Sequence, residues 1–303
     1  MNKNKYESYR ISSNSKGFLL SSSFFSIADQ DTQVKLKLAN RLYAQNSYKL
    51  QQDYLDLVQG SFKADIKLEN FINNSAAVVQ TINTWVEDRT NNLIQNLLSQ
   101  NDVTRDTRLI IINCIYFKGT WRKQFEERST NENADFHEAS DNVSKVKIMF
   151  TKEKYLYGEN KNLRVQIAHL PYKSDNTHVQ FVFTVILPEK GVSLDSVEQK
   201  LSSKPQLLQQ ILNEEEIFYF LYRTKLLGYS QSVYRCERKG KVSLGSEAAA
   251  ATAIIMIKQS LKLHREHNPI EFKGDRPFLF FIGERRRNLV LFGGKYVSPR
   301  TAS

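Results

Sequence analysis

Cysteine is nearly absent: the 303 residues hold two, Cys114 and Cys236, which excludes the disulfide framework that staples small secreted scaffolds. Cys114 sits in an apolar run and reads as a small buried hydrophobe. No hydrophobic stretch approaches the roughly 20 residues that cross a bilayer, so no membrane partner is expected. The opening Met1-Asn2-Lys3-Asn4-Lys5-Tyr6-Glu7 is charged but lacks the apolar segment of a signal peptide. Linkers rich in Gly, Pro and Ser are missing too, and no internal repeat is evident. The serine-rich residues 12–26 are interrupted by Phe18-Leu19-Leu20 and Phe24-Phe25 and read as surface loop and helix.

The signatures of catalysis are equally wanting. There is no Gly-x-Ser-x-Gly, no phosphate-cradling glycine loop and no dinucleotide fingerprint. Of the histidines 137, 169, 178, 264 and 267, the pair in His264-Arg265-Glu266-His267 has the wrong spacing for a two-histidine zinc helix and lacks a third ligand. The expectation is no catalytic residue, no metal and no cofactor. The net charge of +11 permits an acidic partner without selecting one. Basic clusters at Arg235, Arg238, Lys239 and Lys241 and at Arg285-Arg286-Arg287 lack interleaved aromatics, which leaves a glycan possible and nucleic acid unexpected. Asn73-Asn74-Ser75 and Asn142-Val143-Ser144 fit the N-glycosylation pattern, which matters only in a secreted chain.

What is present is strong patterning. Leu36, Leu38, Leu42 and Ala44 alternate with Lys35, Lys37, Arg41 and Tyr43, predicting a half-buried strand broken in its apolar series by Asn40. Between residues 77 and 100, Val78, Val79, Ile82, Trp85, Val86, Leu93, Ile94, Leu97 and Leu98 recur at helical spacing, predicting one long amphipathic helix. Residues 109–117 are almost continuously apolar around Asn113, as in a strand covered on both faces. A further strand is expected over 179–187, and a hairpin joins 278–282 to 289–292. Strands and helices follow no regular alternation, which favours mixed sheets over a doubly wound parallel one.

The most informative stretch is Gly245-Ser246-Glu247-Ala248-Ala249-Ala250-Ala251-Thr252, which runs on to Lys258-Gln259-Ser260. Alanine and a serine cap allow a helix here. Period two is as good: Ser246, Ala248, Ala250, Thr252, Ile254 and Met256 share a face of small and then apolar side chains. No proline interrupts residues 245–268, so each backbone N–H there is free to join a ladder. A strand of about ten new backbone hydrogen bonds at ~1 kcal/mol each would gain on the order of 10 kcal/mol gross.

Taken with residues 272–282 and Leu291-Phe292-Gly293-Gly294-Lys295-Tyr296-Val297-Ser298-Pro299, this stretch resembles the hinge and C-terminal hairpin of a serpin. Asn83, Trp85, Val86, Thr90 and Ile94 resemble the helix that lies across the family's main sheet. Residues 113–121, ending Lys118-Gly119-Thr120-Trp121, and then Phe125 resemble its central strand and following turn. Met149, Leu170-Pro171-Tyr172 and Ile186-Leu187-Pro188 also fit.

The resemblance implies an α+β serpin-like fold, with several helices around a large mixed β-sheet and smaller sheets, in one domain over 1–303. That fold is expected to be incomplete: 1–30 match poorly, 213–244 are shortened, and 245–268 form the reactive-centre loop. It implies a non-enzymatic suicide substrate for a protease, of the serine class with trypsin-like enzymes foremost, cut in the loop and carried as the loop enters the sheet. The family's usual loop length, counted from Gly245, places the reactive bond at Gln259-Ser260, or at Lys258-Gln259 in a register one residue shorter. The hinge would be Gly245, Ser246, Glu247, Ala248, Ala249, Ala250, Ala251 and Thr252. Asn113 and Trp121 are structural, with Trp121 near the point of loop entry or an ordinary core residue.

The resemblance also implies an extracellular protein, while the missing signal peptide leaves the cytoplasm open. The strand before the hinge, one wall of the insertion slot, is expected to be missing, with Ser243-Leu244 where the family has glutamates. A truncated product, a degenerate non-inhibitory protein, and a divergent one whose residues 230–244 rebuild the wall are the alternatives. A basic glycan- or nucleic-acid-binding protein on the same scaffold is a further rival.

Overall fold

The computed structural model describes residues 27, 31–123, 125, 127–139, 142–151, 155–213, 219–227, 232–238, 241–247 and 270–299, with the backbone alone for 213, 219–227, 232–238, 241–247 and 270. The first half runs β1 (Val34–Gln45), α1 (Gln52–Phe62), β2 (Asp65–Glu69), α2 (Phe71–Arg89), β3 (Leu109–Gly119), β4 (Asn131–His137) and β5 (Val143–Thr151). It continues through β6 (Leu156–Asn160), β7 (Val165–Pro171), β8 (Phe181–Pro188), α3 (Leu194–Ser203) and α4 (Pro205–Asn213). The elements described after α4 are strands: β9 (Tyr219–Leu227), β10 (Ser232–Arg238), β11 (Lys241–Glu247), β12 (Ile270–Lys273), β13 (Phe278–Glu284) and β14 (Leu289–Tyr296).

These strands form two sheets, a five-stranded one in the order β11-β10-β3-β1-β2 and a nine-stranded one in the order β14-β13-β8-β7-β6-β9-β5-β4, with β12 paired to β9. Both are mixed: β1 runs parallel to β2, and β12 parallel to β9, in otherwise antiparallel sheets. This is the expected α+β arrangement.

Period-two alternation explains the layering. On β7, Val165 and Ile167 pack with α3 and α4, through Val197, Leu201 and Ile211. The alternate residues Ala168 and Leu170 pack inward with Phe183, Val185, Phe292 and, from the five-stranded sheet, Leu36, Ile115 and Phe117. On β3 the other parity, Ile110, Ile112 and Cys114, packs under α2 with Val78, Ile82, Trp85 and Val86. The order of layers is therefore α2, five-stranded sheet, nine-stranded sheet, α3 and α4. Strand β3, the near-continuous apolar run, is covered on both faces as its composition requires.

The long helix differs from its expected span of 77–100. It starts earlier, at Phe71, where Asn70 caps it by accepting a hydrogen bond from Asn73 N (3.0 Å), and it ends at Arg89. The cause is local: Asn91, Asn92 and Asn96 take left-handed backbone angles, which asparagine tolerates and which end a helix. The apolar series still reaches the core, because Ile94, Leu97 and Leu98 are buried from the loop. Asn83 fastens that loop, its Nδ2 donating to Leu98 O (2.9 Å) and its Oδ1 accepting from Leu98 N (2.8 Å). Residues 12–26 lie outside the described part apart from their neighbour Ile27.

Candidate functional site

The stretch expected to be the hinge begins inside a sheet. Gly245, Ser246 and Glu247 are the last three residues of β11, paired antiparallel with Tyr234, Val233 and Ser232 of β10. Of the two conformations open to this stretch, these three residues take the extended one. Strand β10 in turn pairs antiparallel with β3, Ser232 opposite Lys118 and Arg238 opposite Ile112. Two antiparallel steps make β11 parallel to β3, with β10 between them. Residues 241–247 thus form a strand in the stretch expected to be shortened, parallel to β3, and residues 232–238 lie between the two.

The chain leaves β11 at the end of the sheet where β3 finishes and Trp121 follows. Trp121 is 6% exposed. Its ring stacks on Tyr172 (centroids 4.4 Å apart, planes 14° apart) and meets Phe183 edge-on at 5.7 Å. An isolated β-bridge joins Trp121 to Tyr172, and Arg122 N donates to Pro171 O (3.0 Å). Gly119 is required here, since a Cβ would stand 2.7 Å from Tyr172 Cδ1. This aromatic knot fixes the end of β3 against β7 and β8. Burial drives the Tyr172 hydroxyl far above its ordinary range, so it stays neutral.

Helix α2 roofs the other face. Trp85 meets Tyr43 edge-on at 6.5 Å, and the Arg41 guanidinium lies 4.6 Å over the Trp85 ring. Arg41 also pairs with Asp65, tying β1 to β2. At the start of α2, Phe71 N donates to Gln45 Oε1 (2.7 Å), which anchors the helix to the end of β1. Asn40 and Asn113 lie opposite one another on β1 and β3, both buried, and Asn40 Nδ2 donates to Phe62 O (2.6 Å).

The expectation for Cys114 needs a correction. It is buried at 1% exposure, but it is disulfide-bonded rather than a plain apolar filler. Sequence spacing could not show this, because Cys236 is remote in the chain and becomes a neighbour only through the pairing of β10 with β3. The hairpin itself had one legible signal: Lys239-Gly240, a glycine-bearing two-residue gap between two strands.

The arginine run forms the turn between β13 and β14. Glu284, 1% exposed, accepts from Gln180 N (2.8 Å), Arg286 N (3.2 Å) and Arg287 N (2.8 Å), so a buried carboxylate shapes the turn. Elsewhere, burial and then the charge of Arg285 push His169 down from 6.5 to about 3; its Nδ1 lies 2.8 Å from Thr184 Oγ1. Among the described residues no group of three or more His, Cys, Asp or Glu is placed to hold a metal, and no helix is long and apolar enough to cross a membrane. Ala248, Ala249, Ala250, Ala251, Thr252, Lys258, Gln259, Ser260, His264 and His267 lie outside the described residues.

Comparison with known proteins agrees with this architecture. The pattern of the family Serpin (serine protease inhibitor) matches residues 10–219 and 242–299. Antichymotrypsin-2 of Bombyx mori is 29% identical over 297 residues, covering 87% of this chain and 76% of its own length. The human leukocyte elastase inhibitor is 30% identical, covering 87% of this chain and 78% of its own. The native stressed conformation of Arabidopsis AtSerpin1 superposes with a TM-score of 0.71 at 24% identity, over 92% of this chain and 79% of that one. With most of its length matched by the family pattern, and with the two-sheet fold to go with it, this chain belongs to the serpin family.

Proposed function

We propose that this chain is an endopeptidase inhibitor that acts as a suicide substrate, most of all against serine proteases of the trypsin-like kind. Its reactive bond is Gln259-Ser260, or Lys258-Gln259 in the shorter register, where the lysine would enter a specificity pocket that holds a carboxylate. The observation that carries this reading is the course of Gly245, Ser246 and Glu247 along the end of β11. The alanine run is thereby tethered at the rim of the sheet it would enter. Small side chains then slide between strands without forcing them apart, and each new ladder bond draws the bound protease along. Speed of entry against hydrolysis of the ester decides between trapping and simple cleavage. Trp121 would hold the end of β3 steady as the loop enters. A disulfide-bonded Cys114 suits the oxidising, extracellular setting that the resemblance implies.

A second reading is favoured by β10. A strand already lying between β3 and β11 fills the place the loop would take there, and a chain so arranged would be a non-inhibitory binding protein or a mere substrate. Incubation with trypsin-like, chymotrypsin-like and papain-like proteases separates the two. A complex that survives boiling in detergent, with the new amino terminus at Ser260 or Gln259, is the expected result from the chain once its disulfide is reduced; clean cleavage without a complex across the panel, from unreduced and reduced chain alike, would overturn the inhibitor.

A further inference from the structure

The family pattern skips residues 220–241, and β10 lies wholly within that interval. The strand that fills the space between β3 and β11 is therefore supplied by residues that the family pattern does not match. The same strand carries Cys236, whose Cα faces that of Cys114 in the antiparallel register. Directly opposed residues in such a pair stand about 4.5 or 5.5 Å apart at Cα, inside the roughly 4.4–6.8 Å that a disulfide bridges. Cys114 is disulfide-bonded, and the sequence holds one other cysteine.

We propose that a Cys114–Cys236 disulfide is a redox lock on loop insertion: oxidised, it fastens β10 between β3 and β11, and reduced, it lets β10 leave so that residues 248–257 take its place. This rests on reading residues 245–260 as an insertable loop. The exchange is geometrically like for like. Strand β10 runs antiparallel to both neighbours, and a chain that turned back after Glu247 to lie beside β11 would run the same way. The two candidates differ in fitness for the place. Strand β10 sets Arg235 and Glu237 at register positions opposite the buried Ile115 and Asn113, where a strand covered on both faces is ordinarily apolar. The parity Ser246, Ala248, Ala250, Thr252, Ile254, Met256 carries no charge. Reduction removes the covalent tie and leaves β10 held by non-covalent contacts, its backbone ladder among them.

The bond is opened by a dithiol reductant. One thiolate attacks a cysteine sulfur, the S–S bond breaks and a mixed disulfide forms; the second thiol resolves it, leaving two cysteine thiols and an oxidised, cyclised reductant, with two electrons and two protons transferred. Cys114 is buried beneath α2, so access requires local opening. Among the described strands β11 has a neighbour on one side only, and a hairpin at such an edge opens ahead of the sheet centre.

The test uses the full chain, unreduced and treated with dithiothreitol, together with the variants Cys236→Ser and Cys236→Ala, each checked for folding by circular dichroism. Hydrogen exchange read by mass spectrometry should show protection of residues 232–238 falling at least tenfold on reduction and in both variants, with β1 and β7 unchanged. The yield of detergent-stable complex with a trypsin-like protease should rise at least tenfold in the variants. Two titratable thiols in the unreduced, denatured chain, or equal exchange of β10 in all forms, would overturn the lock. Equal complex yields from parent and variants would keep the inhibitor and sink the lock, whereas a released β10 with the loop merely cut would keep the disulfide's hold on β10 and sink the inhibitor.

Discussion

The two sheets of this protein are built to different standards. In the nine-stranded sheet β7, β8 and β13 bury residues on both faces, inward on the five-stranded sheet and outward on α3 and α4. In the five-stranded sheet β1 and β3 pack beneath α2, β2 is largely exposed, and β10 lies outside the residues that the family pattern matches. The first sheet holds shape; the second keeps a replaceable part beside a fixed strand. Phe117, fully buried on β3, is where they meet, with ring centroids 4.8 Å from Tyr172, 5.4 Å from Phe181 and 6.4 Å from Phe292. Phe117→Ala should therefore have the largest effect on stability, about 3–5 kcal/mol by urea unfolding. A loss under 1 kcal/mol would show that the sheets do not share a core.

Next in size is a pH effect confined to the nine-stranded sheet. His169 is fully buried on β7 and is held neutral, down from 6.5 to about 3, by burial first and Arg285 second. The unfolded chain takes up a proton below pH 6.5 and the folded one does not, so stability falls as pH drops from about 6.5 toward about 3, by roughly 1.4 kcal/mol per unit at most. His169→Leu should flatten that part of the curve in denaturant titrations from pH 7 to pH 4; an unchanged slope would relocate the sensitivity to other groups. Smaller again is Glu284→Ala, which removes the buried carboxylate that accepts from the N–H groups of Gln180, Arg286 and Arg287. A loss of about 1–3 kcal/mol is expected, with faster hydrogen exchange in the β13–β14 turn and none in β1. A loss spread evenly over both sheets would blur the distinction between them.

Legibility in the sequence follows the same division. The apolar run at 109–117 and the hairpin from 278 to 292 were readable because a strand covered on both faces, or paired across a short turn, leaves its mark in adjacent residues. The helix end was not: apolar spacing through Leu98 continued past Arg89, and only the asparagines at 91, 92 and 96 break the backbone. The filled place between β3 and β11 was illegible for a deeper reason. Residues 232–238 read as the tail of a shortened region, and their position depends on β3, more than a hundred residues earlier, in a register that no local pattern encodes. The disulfide of Cys114 was hidden with it. Of the hinge, Gly245 to Glu247 were readable as strand or helix with equal ease, and the sheet decided between them.

The smallest expected effect on stability comes with the largest expected effect on outcome. Ala250→Pro lies in the run after Glu247, beyond the end of β11, and the unfolding free energy is expected to move by less than about 0.5 kcal/mol. Proline supplies no N–H to a ladder, and in a central strand its ring displaces the neighbour. If residues 248–257 must enter the five-stranded sheet, entry stops at residue 250 while the ester to the protease is still open to water, and the inhibitor becomes a substrate. The measurement is the ratio of detergent-stable complex to cleaved chain, made on a Cys236→Ser background so that β10 is free to leave; it should fall at least tenfold while the rate of loop cleavage holds within a factor of about two. An unchanged ratio would mean that the replaceable part of the second sheet is not replaced by this loop, and the contrast between the two sheets would then be one of packing alone.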